Sequence, residues 1–501
     1  MSTKSEQFDA LIVGSGFGGA ACGHALARAG LRVLLLERGD WVKRDALDWD
    51  QREILVRKRY QSDVPMQVKQ YGDRDFQPVY PNEVVGGMSV FYGGASLRLR
   101  ETDFGQWPIA YGDLEPYYSR AEALLEVHGE SGADGCEPER ATGYPFPGIE
   151  LTPPARRIFD AGVSLGYRPF RIPLAINFTH EARTICVRCI TCDGFPCRIE
   201  AKNDVATTLL REAQSFGLQV MANVVVGRLI EEHGHIRSIV CVDRQTRKAF
   251  PLSAPLVVVS AGALDSPPIL LRSHLERFPQ HRLIGRYLMR HCNGVVAGVF
   301  PFRTNPEQVF HKQLCFTDFY EDLRTQHGRA VGVIQDIYTP APEVIKHFAP
   351  VGTKHIAALA ARYMQNLLCI AEDEPLYENA VGLSGETDVY GLEIARVVHR
   401  YTQADCERRD YLVARARQLL RRAGSLGAYC YPIDTFSHAV GTLRMGTAPE
   451  DSVLDAHCRF WGIDNLYVVD GCFMPTSCGV NPSLTIAANA LRVADDILKQ
   501  R

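Results

Sequence analysis

An apolar run of strand type, Ala10-Leu-Ile-Val13, passes directly into Gly14-Ser15-Gly16-Phe17-Gly18-Gly19 and a helix-like stretch from Ala20 to Ala29. Each glycine has a separate task in such a unit. Gly14 allows a tight turn, Gly16 lets the backbone approach a pyrophosphate, and Gly19 lets the helix pack on the strand. Phe17 and Gly18 complete the loop as cofactor contacts, and the helix N-terminus then faces the phosphates. After Gly30, Leu31 to Leu36 reads as a second strand that ends in Glu37 and Arg38. Glu37 stands about 20 residues beyond the glycines, where a carboxylate can accept from both ribose hydroxyls and would repel a 2′-phosphate. An incidental glycine-rich turn does not explain strand, turn, helix, strand and acid in that order. FAD and NAD both satisfy the unit, so it does not choose between them.

At 501 residues the chain exceeds one hydrophobic core, and two connected domains are expected. A formal net charge of −3 gives no electrostatic basis for binding nucleic acid or an anionic membrane. No apolar run reaches the roughly 18 residues of a spanning helix. The N-terminus enters its first strand without a basic and apolar leader, so a cytoplasmic location is expected. A second glycine-rich stretch, Val84-Val85-Gly86-Gly87-Met88-Ser89 followed by Gly93-Gly94-Ala95-Ser96, suits close approach to a flat ring or phosphate; a structural turn is the plain alternative.

Gln219 to Val226 and Ile236 to Val242 read as paired strands. Leu256 to Ser260 reads as a buried strand leading into Ala261-Gly262-Ala263 and a helix over Ser266 to Ser273. Segments Val331 to Ile337, Val381 to Leu383 and Glu393 to Tyr401 are spaced like an antiparallel sheet. The expected class is α/β, α+β overall: a Rossmann-type nucleotide domain built from separated segments, with a substrate domain on a mainly antiparallel sheet. Residues 1–100, 196–295 and 431–501 would form the nucleotide domain. Residues 101–195 would form a substrate-side segment, and 296–430 the substrate domain.

The tail from Ser437 to Gly446 and from Asn465 to Ala490 sets a histidine beside Gly441-Thr442, Asp470-Gly471 after the strand Leu466 to Val469, and Asn481-Pro482 at a helix start. Together with Gly14 to Gly19, Gly86-Gly87, Gly262 to Ser273 and Gly285-Arg286-Tyr287-Leu288, it resembles the glucose–methanol–choline (GMC) oxidoreductases over nearly the whole chain. The resemblance implies FAD, hydride transfer from an alcohol to flavin, His438 as catalytic histidine and Asn481 as its partner. It implies further cofactor contacts at Gly86, Gly87, Ser89, Gly93, Gly94, Ala95, Ala261, Gly262, Asp470, Gly471 and Pro482, and at Val225 through its backbone. His274 departs from the pattern, standing where glycine is usual.

The chemistry supports these roles. Oxidising C–OH to a carbonyl needs a base for the hydroxyl proton, and histidine titrates near working pH. A neighbouring amide holds the oxygen without competing for the proton. His291, His399 and His457 lack such support and read as ordinary core or surface residues. Met88 to Tyr92 contains no histidine to which flavin could be attached, so the FAD is expected to be dissociable.

Most of the fifteen cysteines lie singly in apolar surroundings. Cys186, Cys189, Cys192 and Cys197 are instead close together, with Arg188 and Arg198 favouring thiolates. An iron–sulfur cluster, as in some FAD dehydrogenases of this superfamily, disulfides, zinc or free thiols remain open. Phe91 to Ser96, Leu165 to Phe170, Pro173 to Asn177 and Asn465 to Pro475 are similar to members that oxidise sugars and aminocyclitol glycosides. The expected substrate is a carbohydrate-like alcohol, with oxygen, a quinone or a redox protein as electron acceptor. The alternatives are a protein whose flavin is structural, or a dehydrogenase of aliphatic or steroid alcohols that passes electrons through an iron–sulfur cluster. The run Glu372-Asp373-Glu374 reads as a solvated loop, with contact to a cationic substrate as the alternative, and Trp107 and Tyr117-Tyr118 as core packing or a sugar-stacking face.

Overall fold

The computed structural model describes residues 8–70, 72–433 and 435–500. Its centre is a five-stranded parallel sheet. The strands are β1 (Ala10–Val13), β2 (Val33–Leu36), β3 (Gln219–Met221), β4 (Leu256–Val259) and β5 (Leu466–Val468), in the spatial order β5-β4-β1-β2-β3. The five strands come from three widely separated stretches of sequence, 10–36, 219–259 and 466–468, as expected for a Rossmann-type domain assembled from pieces. β1, β2 and β4 are buried throughout and uniformly aliphatic, the pattern of a sheet covered on both faces.

Helix α1 (Phe17–Arg28) and helix α2 (Ser483–Lys499) pack together against this sheet. Eleven of the twelve α1 residues are buried, and its small side chains allow the close approach. Trp107 and Tyr118 pack beneath: Trp107 Nε1 donates to Thr476 Oγ1 at 2.8 Å, and the Tyr118 hydroxyl lies 2.8 Å from Thr485 Oγ1. Both are core residues, and Tyr117 packs partly buried beside them.

The expected strand Gln219 to Val226 is divided. Asn223 adopts φ +61°, so the chain turns after β3 and a new strand, Val224–Glu232, pairs antiparallel with His235–Asp243. A six-stranded antiparallel sheet runs Gly427–Pro432, Gly294–Val299, Met364–Ala371, Gly332–Ile337, Leu314–Phe316, Phe170–Arg171. The long helix Gln403–Arg422, capped by Thr402, covers it. Ala380–Thr387 and Glu393–His399 join a separate four-stranded sheet with Met66–Gln70 and Gln77–Val79. No described helix is long and apolar enough to cross a membrane.

Candidate active site

The loops after β1, β2, β4 and β5 all leave the C-terminal edge of the parallel sheet, where ligands of such sheets bind. Two kinds of glycine line this edge. A Cβ on Gly14 (φ +98°) would stand 2.2 Å from the Ser260 carbonyl oxygen, one on Gly18 2.2 Å from that of Val469, and one on Gly19 2.0 Å from that of Gly14. These three knit α1 to the sheet and admit no side chain. At Gly16 and Gly262, by contrast, a Cβ would meet nothing within 4 Å. Open positions beside a helix N-terminus fit a dinucleotide, which would occupy the space a side chain would otherwise fill.

The second glycine loop folds over the first. Gly86 N donates to Ser15 Oγ at 2.8 Å, and a Cβ on Gly87 would lie 3.3 Å from Gly16 Cα. Ser89 Oγ donates to Gly86 O and accepts from Val205 N. Gly93 packs on the Lys312–Asp193 ion pair, and Gly94 O accepts from Ala175 N. Ala95 O accepts from Ser483 Oγ at 3.3 Å, joining this loop to the first turn of α2 beside Pro482.

Glu37 accepts from Ser15 N at 3.1 Å and Gly39 N at 2.9 Å, and burial raises its pKa. Arg38 pairs with Glu83 and Asp265. Val225 lies next to the end of β2, where Val224 N donates to Glu37 O. Asp470 accepts from Gly262 N at 2.8 Å, Cys472 N at 2.9 Å and Ser266 Oγ, and so fastens Gly471 and the end of β5 to the Ala261-Gly262 loop.

Beyond the glycine loops, Asn481 Nδ2 lies 3.3 Å from His438 Nε2. His438 Nδ1 lies 2.9 Å from His291 Nδ1, and Gln335 Nε2 donates to Asn481 Oδ1 at 2.7 Å. Burial, then the neighbouring His291 and Lys312, hold the His438 pKa well below 6.5, so the ring is neutral. His291 corrects the sequence expectation: it is buried against the catalytic candidate. Its only signal was its place three residues after Gly285-Arg286-Tyr287-Leu288. Gln335 had none, as one residue of an alternating strand. His399 is buried 3.6 Å from Asp373, and His457 pairs at the surface with Asp496.

Glu372-Asp373-Glu374 is a second correction, since Glu372 and Asp373 are buried and satisfied. Arg329 reaches Glu372 at 3.1 Å and Glu374 at 2.6 Å, and Arg408 reaches Glu374 at 3.1 Å. Asp373 accepts from Arg290 N, His291 N and Ser477 Oγ at 2.9, 3.0 and 2.7 Å.

Cys186, Cys189, Cys192 and Cys197 line one narrow cavity with Trp49, Phe310 and Lys202, and no disulfide joins any of the four. Burial pushes the Cys186 thiol up to about 12 and Cys192 well above its ordinary value. The expected thiolate-favouring effect of the arginines is therefore overturned for Cys186: burial outweighs Arg188, and Arg198 lies over the Trp49 ring. Among the described residues no three His, Cys, Asp or Glu side chains come close enough to hold one metal ion.

Two family profiles, both for GMC oxidoreductases, match residues 8–293 and 375–490. The chain belongs to the GMC oxidoreductase family. This GMC oxidoreductase is accordingly a FAD-dependent enzyme that oxidises alcohols. It is 32% identical to 6'''-hydroxyparomomycin C oxidase of Streptomyces lividus, over 98% of this chain and 91% of that protein. It is 31% identical to paromamine 6'-oxidase of Streptomyces fradiae, over 97% and 90%. Pyridoxine 4-oxidase from Mesorbium loti superposes with a TM-score of 0.69 at 20% identity, covering 99% of this chain and 100% of that one, a likeness of fold.

Proposed function

We propose that this GMC oxidoreductase oxidises an alcohol of a sugar, glycoside or aminocyclitol-like molecule. His438 Nε2 takes the hydroxyl proton, and the Asn481 amide holds the same oxygen and keeps it in line. The observation that carries the reading is the half-buried His438, whose Nε2 lies 3.3 Å from Asn481 Nδ2, beside the convergent glycine loops. FAD, when bound, supplies the hydride acceptor. The N-terminus of α2 faces the same region, and its positive end favours the negative charge that reduction brings. Support for the substrate class comes from the Streptomyces relatives named for hydroxyparomomycin C and paromamine. A purely structural flavin would not require the His438–Asn481 pair.

Anaerobic addition of sugars, aminoglycosides and aliphatic alcohols to the purified protein tests the reading. Bleaching of the flavin band by a sugar-like alcohol is expected; no bleaching by any of them would sink it. The FAD is dissociable in this reading, because Met88 to Tyr92 offers no histidine. Yellow colour left on acid-precipitated polypeptide would overturn that.

We infer that Cys186, Cys189, Cys192 and Cys197 would hold an iron–sulfur cluster. The convergence of four thiols on one cavity supports it, and a cluster takes each thiolate on its own iron, so the four need not crowd around one ion. Iron and acid-labile sulfide in anaerobically purified protein are expected, and absence of both would overturn the cluster.

A further inference from the structure

The hydrogen-bond chain through His438 has a direction, and one end of it decides the rest. Nε2 of His291 faces two carbonyl oxygens, Ser477 O at 3.0 Å and Cys478 O at 2.9 Å. Carbonyl oxygens only accept, so Nε2 carries a proton. His291 is fully buried and its pKa is lowered by that burial, so the ring is neutral and its Nδ1 is a bare acceptor. His438 Nδ1, 2.9 Å away, therefore donates to it. The opposite tautomer of His438 would set two lone pairs against each other at that distance.

A His438 protonated at Nδ1 has a bare Nε2, the atom that Asn481 Nδ2 approaches. Gln335 Nε2 donates to Asn481 Oδ1, which orients the amide in the same sense. From Gln335 to the Ser477 and Cys478 carbonyls every donor meets an acceptor.

The backbone is bent to build the deciding end. His291 and Cys478 both adopt left-handed conformations, φ +62° and +58°, which non-glycine residues rarely take. Asp373 holds the two bends together through His291 N, Arg290 N and Ser477 Oγ.

We propose that His291 is a positioning residue that selects the tautomer of His438 and so presents Nε2 to the substrate as the base, with Gln335 orienting the Asn481 amide opposite. The proposal rests on the alcohol-oxidation reading for its kinetic consequence. Without an acceptor at Nδ1, the His438 ring is free to carry its proton on Nε2, which then cannot take one from a hydroxyl. When His438 accepts the substrate proton it keeps its Nδ1–H bond to the neutral His291.

Ring-15N histidine spectra of the FAD-bound protein read the tautomer directly, with the His438 signals identified by their loss in His438→Asn. Wild type is expected to show Nδ1 protonated and Nε2 bare. His291→Phe keeps a ring but removes the acceptor; it should protonate Nε2 and slow flavin reduction at least about tenfold with FAD still bound. His291→Asn places an amide oxygen where Nδ1 lay, and should restore the tautomer and bring the rate within about threefold of wild type. A protonated Nε2 in wild type overturns the proposal, as does an unchanged tautomer in His291→Phe, which is what a merely structural role would give. If His291→Phe does not fold, the wild-type and His291→Asn spectra still decide. The spectra need no turnover, so a protein with the expected tautomer that no alcohol reduces would fail the functional reading and leave this one intact.

Discussion

A base for alcohol oxidation must be unprotonated before the substrate arrives, and at His438 burial secures that condition. A histidine with the ordinary value of 6.5 would be half protonated at pH 6.5, and that half could not act as a base. With its folded value held well below that, the rate of flavin reduction should stay level from pH 8 down to pH 6 and fall only at lower pH. A midpoint near 6.5 in stopped-flow traces would refute the burial argument. His438→Ala should slow the same step at least about a hundredfold with FAD still bound, as the flavin spectrum reports. At this scale, His438 and Asn481 were legible because each sits in a local pattern. His291 was not, because its part in the site comes from a contact across 147 residues of chain. The acidic run misled for a similar reason: Arg329 and Arg408, which hold it, are neighbours only in space.

Among the elements, the first glycine loop separates folding from binding within six residues. Gly19→Ala forces a Cβ to within 2.0 Å of the Gly14 carbonyl oxygen, and backbone cannot give way cheaply. That variant should lose several kcal/mol or fail to fold. Gly16→Ala meets open space instead, so its thermal midpoint without FAD should match wild type while FAD affinity falls at least about tenfold. Comparing apoprotein melting with flavin titration checks both. His274 shows that an exception can obey the rule it breaks: glycine is usual there because the chain is left-handed, and His274 adopts φ +55°. His274→Gly should be neutral or stabilising by up to about 1 kcal/mol, and His274→Val destabilising by about 1–2 kcal/mol, in denaturant melts. The strand expected from Gln219 to Val226 failed at Asn223 because the residues on both sides are equally strand-like. Only the left-handed turn shows that they serve different sheets.

Across the molecule, fold class was readable because hydrophobic period and glycine spacing are local properties. Sheet order was not, since β1 pairs with β4 and β2 with β3, partners far along the chain. The cofactor edge is built by the loops that follow these strands, so FAD should stabilise the whole assembly. At a free concentration of about a hundredfold its Kd it adds about 2.7 kcal/mol, and the melting midpoint should rise with FAD concentration. An unchanged midpoint would mean that the loops do not share one ligand.

The close approach of Gly18 to Val469, and the link from Asp470 to Gly262, also bear on the order of events during synthesis. The first glycine loop leaves the ribosome about 450 residues ahead of Val469 and Asp470, which close it. A complete flavin site therefore forms only after Asp470 has been translated. Cells starved of riboflavin should accumulate full-length apoprotein that becomes active when flavin is restored, without new translation.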